Sequence, residues 1–571
     1  MKTPRPRPAW FPACLRRHRR PAFVDDLPTV GPWSDFMRSS LALLVLLIAG
    51  SVVLAVEPLH VRIDTLVAAG MKDFDKVAAP VASDAEFLRR ATLDLTGRIP
   101  SATEARTFLD DKAADKRTKV IDRLLASPKY ARRMQEYWDV VLMDRRRDVR
   151  VPRAAWEDYL RTSFAENKPF DQLVREMLSA DGSDPKTRPA SKFLLDRTLD
   201  PTMVTRDISR LFLGMNLQCA QCHDHPLVEA YKQEHFYGIQ AFFTRAFLFP
   251  DNTVATAVIA EKGEGDTTFT SVFDKSKAIK NTAPRMPGLK PLSDPKLEKG
   301  KEYKVPPAKG VKPIPNHSRF SQLAAAITDK DNVAFRRTAA NRLWAMMLGR
   351  GIVHPMEFDH PENPPSHPAL LNLLGEELVA HKFDVKWLVR EIALSKTYQR
   401  SSELSPGLEA ISPSKFAVAQ LKPLSPEQFG YAIMQATDAE PVALAKGQTE
   451  VAMQARLAGN LVPFRSMFGT RPGEPEDGYA ATLDQTLFLK HGNLIRTLIA
   501  QRAGNLLDRA TKIAGNAAIA DELFLSVYTR PASAEEKIDV ADALKGQSNR
   551  PAALAEIIWA MLASAEFRFN H

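Results

Sequence analysis

Signals that start α-helices recur along this chain, and they favour a mainly helical fold. Four have the capping-box form, in which a Ser is followed three residues later by Glu or Gln: Ser83–Glu86, Ser101–Glu104, Ser425–Gln428 and Ser533–Glu536. Each precedes apolar residues at helical spacing, whereas alternating strand patterns are scarce. The sequence therefore predicts a mainly α protein.

One region, 249–316, breaks the helical pattern. Residues 253–258 and 267–273 have the composition of short strands, and a stretch rich in Lys and Pro follows them. We expect a small β insert and an extended linker here. With 571 residues the chain is too long for one ordinary core. The insert would then separate an N-terminal helical domain at 57–248 from a C-terminal helical domain at 317–571.

The first 56 residues have the features of a leader. An unbroken apolar stretch at 41–56 follows Arg38 and is shorter than the roughly 20 residues that a membrane-spanning helix needs. Val53 and Ala55 fit the small-residue pattern before a cleavage site, so we predict a signal peptide at about 37–55, with Met37 as an alternative start. The rival interpretation is an uncleaved anchor. Both predict export to the periplasm or cell envelope.

Charge argues against a nucleic-acid partner. The formal net charge is +10, but residues 1–56 hold eight Lys or Arg and three Asp or Glu, which is half of that excess. The remainder is spread over the rest of the chain and predicts no basic patch. We expect membrane contact only through an uncleaved leader.

The run Cys219-Ala220-Gln221-Cys222-His223 is a C-x-x-C-H motif, the covalent attachment signal of a c-type haem. The spacing places both sulfurs on one turn, and the adjacent His becomes an axial ligand of the haem iron. A helix is predicted just before the motif, capped by Asp200 and stopped by Gly214. The only other Cys, Cys14, lies in the leader. Haem c at Cys219, Cys222 and His223 is therefore the leading prediction.

Three alternatives for the motif stay open. Cys219 and Cys222 could close a short disulfide, which an oxidising compartment favours. Together with His223 and His225 they could instead hold a zinc ion, because two thiolates and two imidazoles suit tetrahedral coordination. The third alternative is a motif without any cofactor.

The loop at 354–367 is a second candidate site, since imidazoles and carboxylates together can form a metal or acid–base centre. Its polar members are His354, Glu357, Asp359, His360, Glu362, Asn363 and His367. Against this, four prolines at 361–368 predict a rigid loop that enters a helix, with Ser366 as the N-cap. Loop rigidity and capping then explain most of these residues without catalysis.

Several ordered segments resemble a known family. Residues 87–100, 124–130, 167–171 and the C-x-x-C-H run are similar to the planctomycete-type secreted cytochrome-like proteins, known as domain of unknown function 1549. Residues 341–344, 349–353, 363–368 and 395–399 resemble the usual partner, domain of unknown function 1553. The resemblance implies export, while the activity of the family is not settled. Many members carry a separate cytochrome module, and this chain shows none, so a haem would bind at the motif or nowhere.

The sequence thus predicts an exported cytochrome-like protein that binds one c-type haem and passes electrons to a redox partner protein in the cell envelope. The first rival is a non-enzymatic envelope scaffold whose Cys pair forms a disulfide or a zinc site. A weaker rival is an enzyme that acts on extracellular polymers through the 354–367 loop. The familiar hydrolase, nucleotide-binding and metalloprotease motifs are missing from the sequence.

Overall fold

A computed structural model describes residues 57–254, 256–404, 411–439, 447, 449–474 and 481–571. The predicted leader at 1–56, with Cys14 and the predicted cleavage after Ala55, lies outside the described residues. Within the part that is described, no helix combines the length and the apolar character needed to cross a bilayer.

Helices dominate the first part of the molecule, as their start signals predict. Ser101 caps its helix with a complete capping box, and Asp200 Oδ1 accepts a hydrogen bond from the Met203 amide at 2.7 Å. The helices are α1 Leu59–Ala69, α2 Phe74–Val77, α3 Asp84–Thr96, α4 Ala102–Asp110, α5 Lys116–Ala126, α6 Pro128–Met143, α7 Arg153–Ala165, α8 Phe170–Ser179, α9 Lys192–Leu195, α10 Pro201–Leu213 and α11 Gln233–Gln240. Short 3₁₀ turns lie at Arg188–Ser191 and Cys219–Gln221.

The middle region contains three small antiparallel pairs, which confirms the predicted β insert. They are β1 Ala246–Asp251 with β2 Thr256–Glu261, β3 Thr267–Phe269 with β4 Lys280–Thr282, and β5 Tyr303–Val305 with β6 Ile314–Pro315. In the first pair, Ala246 lies opposite Glu261 and Asp251 opposite Thr256. The predicted second strand stops at Phe269, so 270–279 forms the connection between β3 and β4.

The last part is again helical, apart from one pair of two-residue strands. Its elements are α12 Arg319–Ile327, α13 Val333–Leu348, α14 Pro368–Ala380, α15 Val385–Leu394, β7 Lys422–Pro423, α16 Pro426–Ala436, α17 Glu450–Phe468, α18 Leu483–His491, α19 Asn493–Ile499, α20 Leu506–Lys512, α21 Asn516–Tyr528, α22 Ala534–Leu544, α23 Arg550–Ala563, α24 Ala565–Arg568 and β8 Phe569–Asn570. A 3₁₀ turn lies at Pro413–Lys415. Ser425 and Ser533 form complete capping boxes, as predicted.

The buried apolar side chains form two clusters. The larger one takes most of its residues from α1 to α15 and β2, and it also includes Leu525 of α21, so helices on both sides of the insert contribute to it. The smaller one takes residues from α16 to α24, together with Leu93 and Ile99 from α3 and the residues just after it. The fold is mainly α with a small β insert. Its division into domains at 57–248 and 317–571 stays a prediction.

Two capping predictions need correction. Ser83 Oγ accepts the Glu86 amide as expected, but the Glu86 carboxylate turns away to Arg90, at 2.5 Å, and to the Ser402 amide, at 2.7 Å. Ser366 does not cap α14, because its hydroxyl donates to the Ile352 carbonyl oxygen at 3.1 Å. His367 stands at the N-cap position and makes no side-chain cap bond.

Candidate functional site at the C-x-x-C-H turn

The motif begins six residues after the end of α10, where the sequence predicts it. Gly214 takes φ = +66° and ends the helix, and a Cβ atom at this position would lie 2.8 Å from Thr338 Oγ1. After Gly214, Met215 forms an antiparallel bridge with Phe358 of the 354–367 loop. Residues Cys219–Gln221 then form a single 3₁₀ turn. Gly214 therefore provides both the left-handed backbone and the close approach that aim the motif.

Both thiols of the motif are accessible. Cys219 and Cys222 are exposed, and neither forms a disulfide within the described part of the chain. The Cys222 amide donates to the Cys219 carbonyl oxygen at 3.4 Å, so the two residues lie on one turn. A ligand attached through two thiols needs both of them accessible, as they are here.

His223 is held in one orientation by its own backbone neighbour. Its Nδ1 lies 2.5 Å from the Asp224 carbonyl oxygen, which can only accept, so Nδ1 carries the proton. The other ring nitrogen, Nε2, makes no hydrogen bond to any described residue. A metal-binding His commonly donates one ring N–H to a carbonyl oxygen and ligates through the other nitrogen. The donor set of the motif, two accessible thiols and one imidazole nitrogen that makes no hydrogen bond to a described residue, fits a c-type haem.

Helix α11 and the β3–β4 connection hold the motif in place. The Gln221 carbonyl oxygen accepts from Tyr237 Oη at 3.1 Å and from Gln233 Nε2 at 3.2 Å, and the Val272 amide donates to the Cys222 carbonyl oxygen at 3.0 Å. Burial and the nearby Cys222 thiol raise the pKa of Tyr237, which keeps its hydroxyl protonated as a donor. Sequence reasoning missed Gln233 and Tyr237, because no local pattern relates them to the motif.

Exposed apolar side chains lie beside the motif. Val272 is 66 % exposed and Phe273 is 74 % exposed, and the Phe273 ring centroid lies 4.7 Å from that of His223. Leu227, four residues after His223, is 82 % exposed. Val272 and Phe273 thus leave exposed apolar surface close to the imidazole of His223.

The second candidate site packs directly against the first. Met215 and Phe358 form an antiparallel bridge, the Asn216 amide donates to the Glu357 carbonyl oxygen at 2.9 Å, and the Asp359 amide donates to the Gly214 carbonyl oxygen at 3.0 Å. The 354–367 loop thus runs beside the segment that leads into the motif. Sequence reasoning proposed the two sites separately and gave no indication that they touch.

Histidines of the two segments meet through Tyr231. The Tyr231 ring lies edge-on to His225 at 5.8 Å and to His360 at 5.4 Å. Burial, with the neighbouring imidazoles of His360 and His223, lowers the pKa of His225. Even so, the described residues contain no group of three or more His, Cys, Asp or Glu side chains arranged to hold a metal ion. The four residues of the zinc alternative, including His225, are therefore not brought together.

Most polar groups of the 354–367 loop have structural partners. Glu357 pairs with Arg210 at 2.9 Å, and Asp359 pairs with Arg337 at 3.1 Å. His367 is 4 % exposed, and its ring lies against Gly70, where a Cβ atom would come within 2.2 Å of Nε2. These contacts agree with the interpretation of the loop as rigid structure.

Two family models match the sequence. Residues 62–247 match PSCyt2, described as a protein of unknown function (DUF1549), and residues 319–452 match PSD1, described as a protein of unknown function (DUF1553). This chain belongs to the PSCyt2–PSD1 family. The order of the two modules is the one that the sequence resemblance predicted. No curated protein and no solved structure matches the chain.

The family assignment places the two candidate sites in different modules. The C-x-x-C-H turn lies in the PSCyt2 part, and the 354–367 loop lies in the PSD1 part. Their contact at Gly214–Asn216 is therefore a contact between the two family modules. The PSD1 loop orients the chain that leads into the PSCyt2 motif.

Proposed function

We propose that this protein is exported, binds one c-type haem through Cys219 and Cys222 with His223 as axial ligand, and exchanges electrons with a redox partner protein of the cell envelope. The observation that carries the proposal is the C-x-x-C-H turn itself, with both thiols accessible and with the proton of His223 fixed on Nδ1. A bound haem would supply a one-electron Fe(III)/Fe(II) couple.

Attachment at this turn needs no oxidant. Cys219 and Cys222 would hold the haem through two thioether bonds, and the addition of S–H across a C=C bond would leave no electrons over. The residues of the chain have separate tasks. Cys219 and Cys222 would anchor the haem, the hydrogen bond of Nδ1 to the Asp224 carbonyl oxygen would orient the His223 ring, and Gln233 and Tyr237 hold the turn.

Surface exposure supports an electron-transfer function. Both thiols are exposed, and the exposed apolar residues Val272 and Phe273 lie beside the turn. Haem attached at this place would lie close to the molecular surface. A partner protein could then approach the haem without a large rearrangement of the fold.

The test is expression in the periplasm of a host with working haem-attachment machinery. The purified chain is denatured in alkaline pyridine, and the expected result is the α band of a c-type haemochrome. His223→Ala should lose the native axial ligation and most of the incorporated haem. The matched control is His491→Ala, which changes an exposed imidazole in a different part of the chain and should bind haem like the wild type.

Two other outcomes would replace the proposal by a scaffold function. A colourless protein without titratable thiols would indicate a Cys219–Cys222 disulfide. A colourless protein with about one equivalent of zinc by elemental analysis would indicate a structural metal site. The polymer-degrading enzyme receives no specific support from the loop contacts described above.

A further inference from the structure

A cavity of about 460 Å³ lies away from the C-x-x-C-H turn, and none of its lining residues belongs to the motif. Helix α6, the end of α13 with the residues that follow it, the start of α16 and the C-terminal residues form its walls. Its volume falls within the range of small-molecule sites, roughly 300–1,000 Å³.

Cationic side chains outnumber unneutralised carboxylates in this cavity. Among the described residues, its lining includes Arg133, Arg350, Lys422 and Arg568. Of these, Lys422 is already neutralised, because its Nζ lies 2.6 Å from Asp94 Oδ1. Arg568 has contacts of its own within the protein, so the charges that decide the balance are those of Arg133 and Arg350.

The carboxylates of the lining do not balance these two charges. Glu427 is held by Arg145 and Arg465, both at 2.9 Å, and although burial opposes it, they keep the pKa of Glu427 at about 2. Glu136 pairs only loosely with Arg132, at 3.6 Å, and its Oε2 is buried without a hydrogen-bond partner in the described structure. Burial raises the pKa of Glu136. The cavity therefore keeps an excess of positive charge.

Two of the guanidinium groups lack a directly bonded carboxylate, although Glu136 lies close enough to act on Arg133 electrostatically. Arg133 is 7 % exposed, and neither it nor Arg350 makes a hydrogen bond or an ion pair with any described residue. The Nε atoms of both are buried. An unpaired charge in a protein interior is costly, so buried arginines are normally paired with an anion.

We propose that this cavity binds a small organic anion whose oxyanion group, a carboxylate, sulfate or phosphate, pairs with Arg133 and Arg350. The planar forks of two arginines match the oxygen geometry of such groups. Apolar side chains of Val140, Met346 and Phe468 line the same cavity and would contact the body of the ligand. This function is independent of haem binding.

Isothermal titration of the purified protein with acetate, sulfate and phosphate, at constant ionic strength, tests the proposal. At least one of the three should bind, and the preferred one tells whether the site is built for a carboxylate or a tetrahedral oxyanion. Arg133→Met and Arg350→Met should each weaken binding by about tenfold to a hundredfold, because each removes charged hydrogen bonds to the anion. Arg147→Met removes an exposed arginine outside the cavity and should leave binding unchanged.

Thermal unfolding without added anion gives an independent readout. If Arg133 awaits a ligand, Arg133→Met should be as stable as the wild type or more stable, because it removes an unpaired buried charge. The proposal is overturned if no anion of the three binds to the wild type, or if both methionine variants bind as tightly as the wild type. A marked loss of stability in Arg133→Met without any anion would also contradict it, since Arg133 would then have a structural function.

Discussion

The C-x-x-C-H turn and the 354–367 loop are neighbours with similar side-chain chemistry, yet they use it in different ways. In the loop, Glu357 and Asp359 pair with arginines, and His367 is packed against Gly70. In the turn, both thiols are accessible, and Nε2 of His223 is without a protein partner in the described structure. Residue type can suggest a site, but the groups that remain available for a ligand decide between function and structure.

The largest expected effect is the loss of haem when the thiols are removed. Replacing Cys219 and Cys222 together by Ser should abolish the haem that stays on the chain in a denaturing gel, because no thioether can form. Both side chains are exposed, so the free energy of unfolding of the haem-free protein should change by less than about 0.5 kcal/mol. A large loss of stability would show that the turn is structural, like the loop.

The second effect is the stability loss from Glu357→Gln in the loop. This change breaks the ion pairs of Glu357 with Arg210, at 2.9 Å, and with Arg342, at 3.8 Å. Two largely buried guanidinium groups then each lose a negatively charged partner. Chemical denaturation should show a decrease of about 2–4 kcal/mol in the free energy of unfolding.

Glu362→Gln is the matched control for that variant. It lies in the same loop but is exposed, so its effect should stay below about 0.5 kcal/mol. Equal stability of Glu357→Gln and Glu362→Gln, combined with loss of an enzymatic activity in either, would instead favour a catalytic loop.

A third effect concerns the contact of His367 with Gly70. In Gly70→Ala the new methyl group would meet the buried imidazole, and overpacking of this kind costs about 1–3 kcal/mol. The same change in a His367→Ala background should cost clearly less, because the ring is gone. Unfolding of the four proteins of this double-mutant cycle measures the coupling, and strict additivity would mean that the two residues do not touch.

The smallest effect is a pH dependence at the boundary between the two regions. The pKa of His225 is lowered in the folded protein, first by burial and then by His360 and His223. The unfolded chain therefore binds the proton more readily, so this contribution to stability is full above the ordinary His pKa of about 6.5 and is lost as the pH falls below it.

His225→Asn should reduce this slope, because Asn cannot be protonated and its Oδ1 can still accept from the Val228 amide. Thermal unfolding across the pH range checks this, with His491→Asn as a control at an exposed position. An unchanged slope in His225→Asn would assign the pH dependence to other histidines.

Local signals in the sequence predicted the helical framework well. Asp200 and Gly214 begin and end α10 as expected, since capping depends on a few adjacent residues. Prediction failed where another residue competes for the hydrogen bonds of the capping side chain. Ser366 bonds to the Ile352 carbonyl oxygen instead of capping α14, and the Glu86 carboxylate turns from its box to Arg90 and Ser402.

The motif itself was visible in the sequence, but its surroundings were not. Spacing alone identified Cys219, Cys222 and His223, whereas the contact with the 354–367 loop joins residues more than a hundred positions apart. The same holds for the cavity, which Arg133 lines from helix α6 and Arg350 lines from the residues just after α13. Such pairs arise from packing, and no periodicity or spacing in the sequence records them.

Intact-mass spectrometry under denaturing conditions, on protein from the periplasm of a haem-attaching host, tests the central claim most directly. The account predicts a mature chain heavier by one haem, and a chain of the unmodified mass after both cysteines are replaced by serine. A wild-type chain lighter by two hydrogens would show a Cys219–Cys222 disulfide, and one at the unmodified mass would show free thiols. Either result would contradict the assignment of this turn as a haem site.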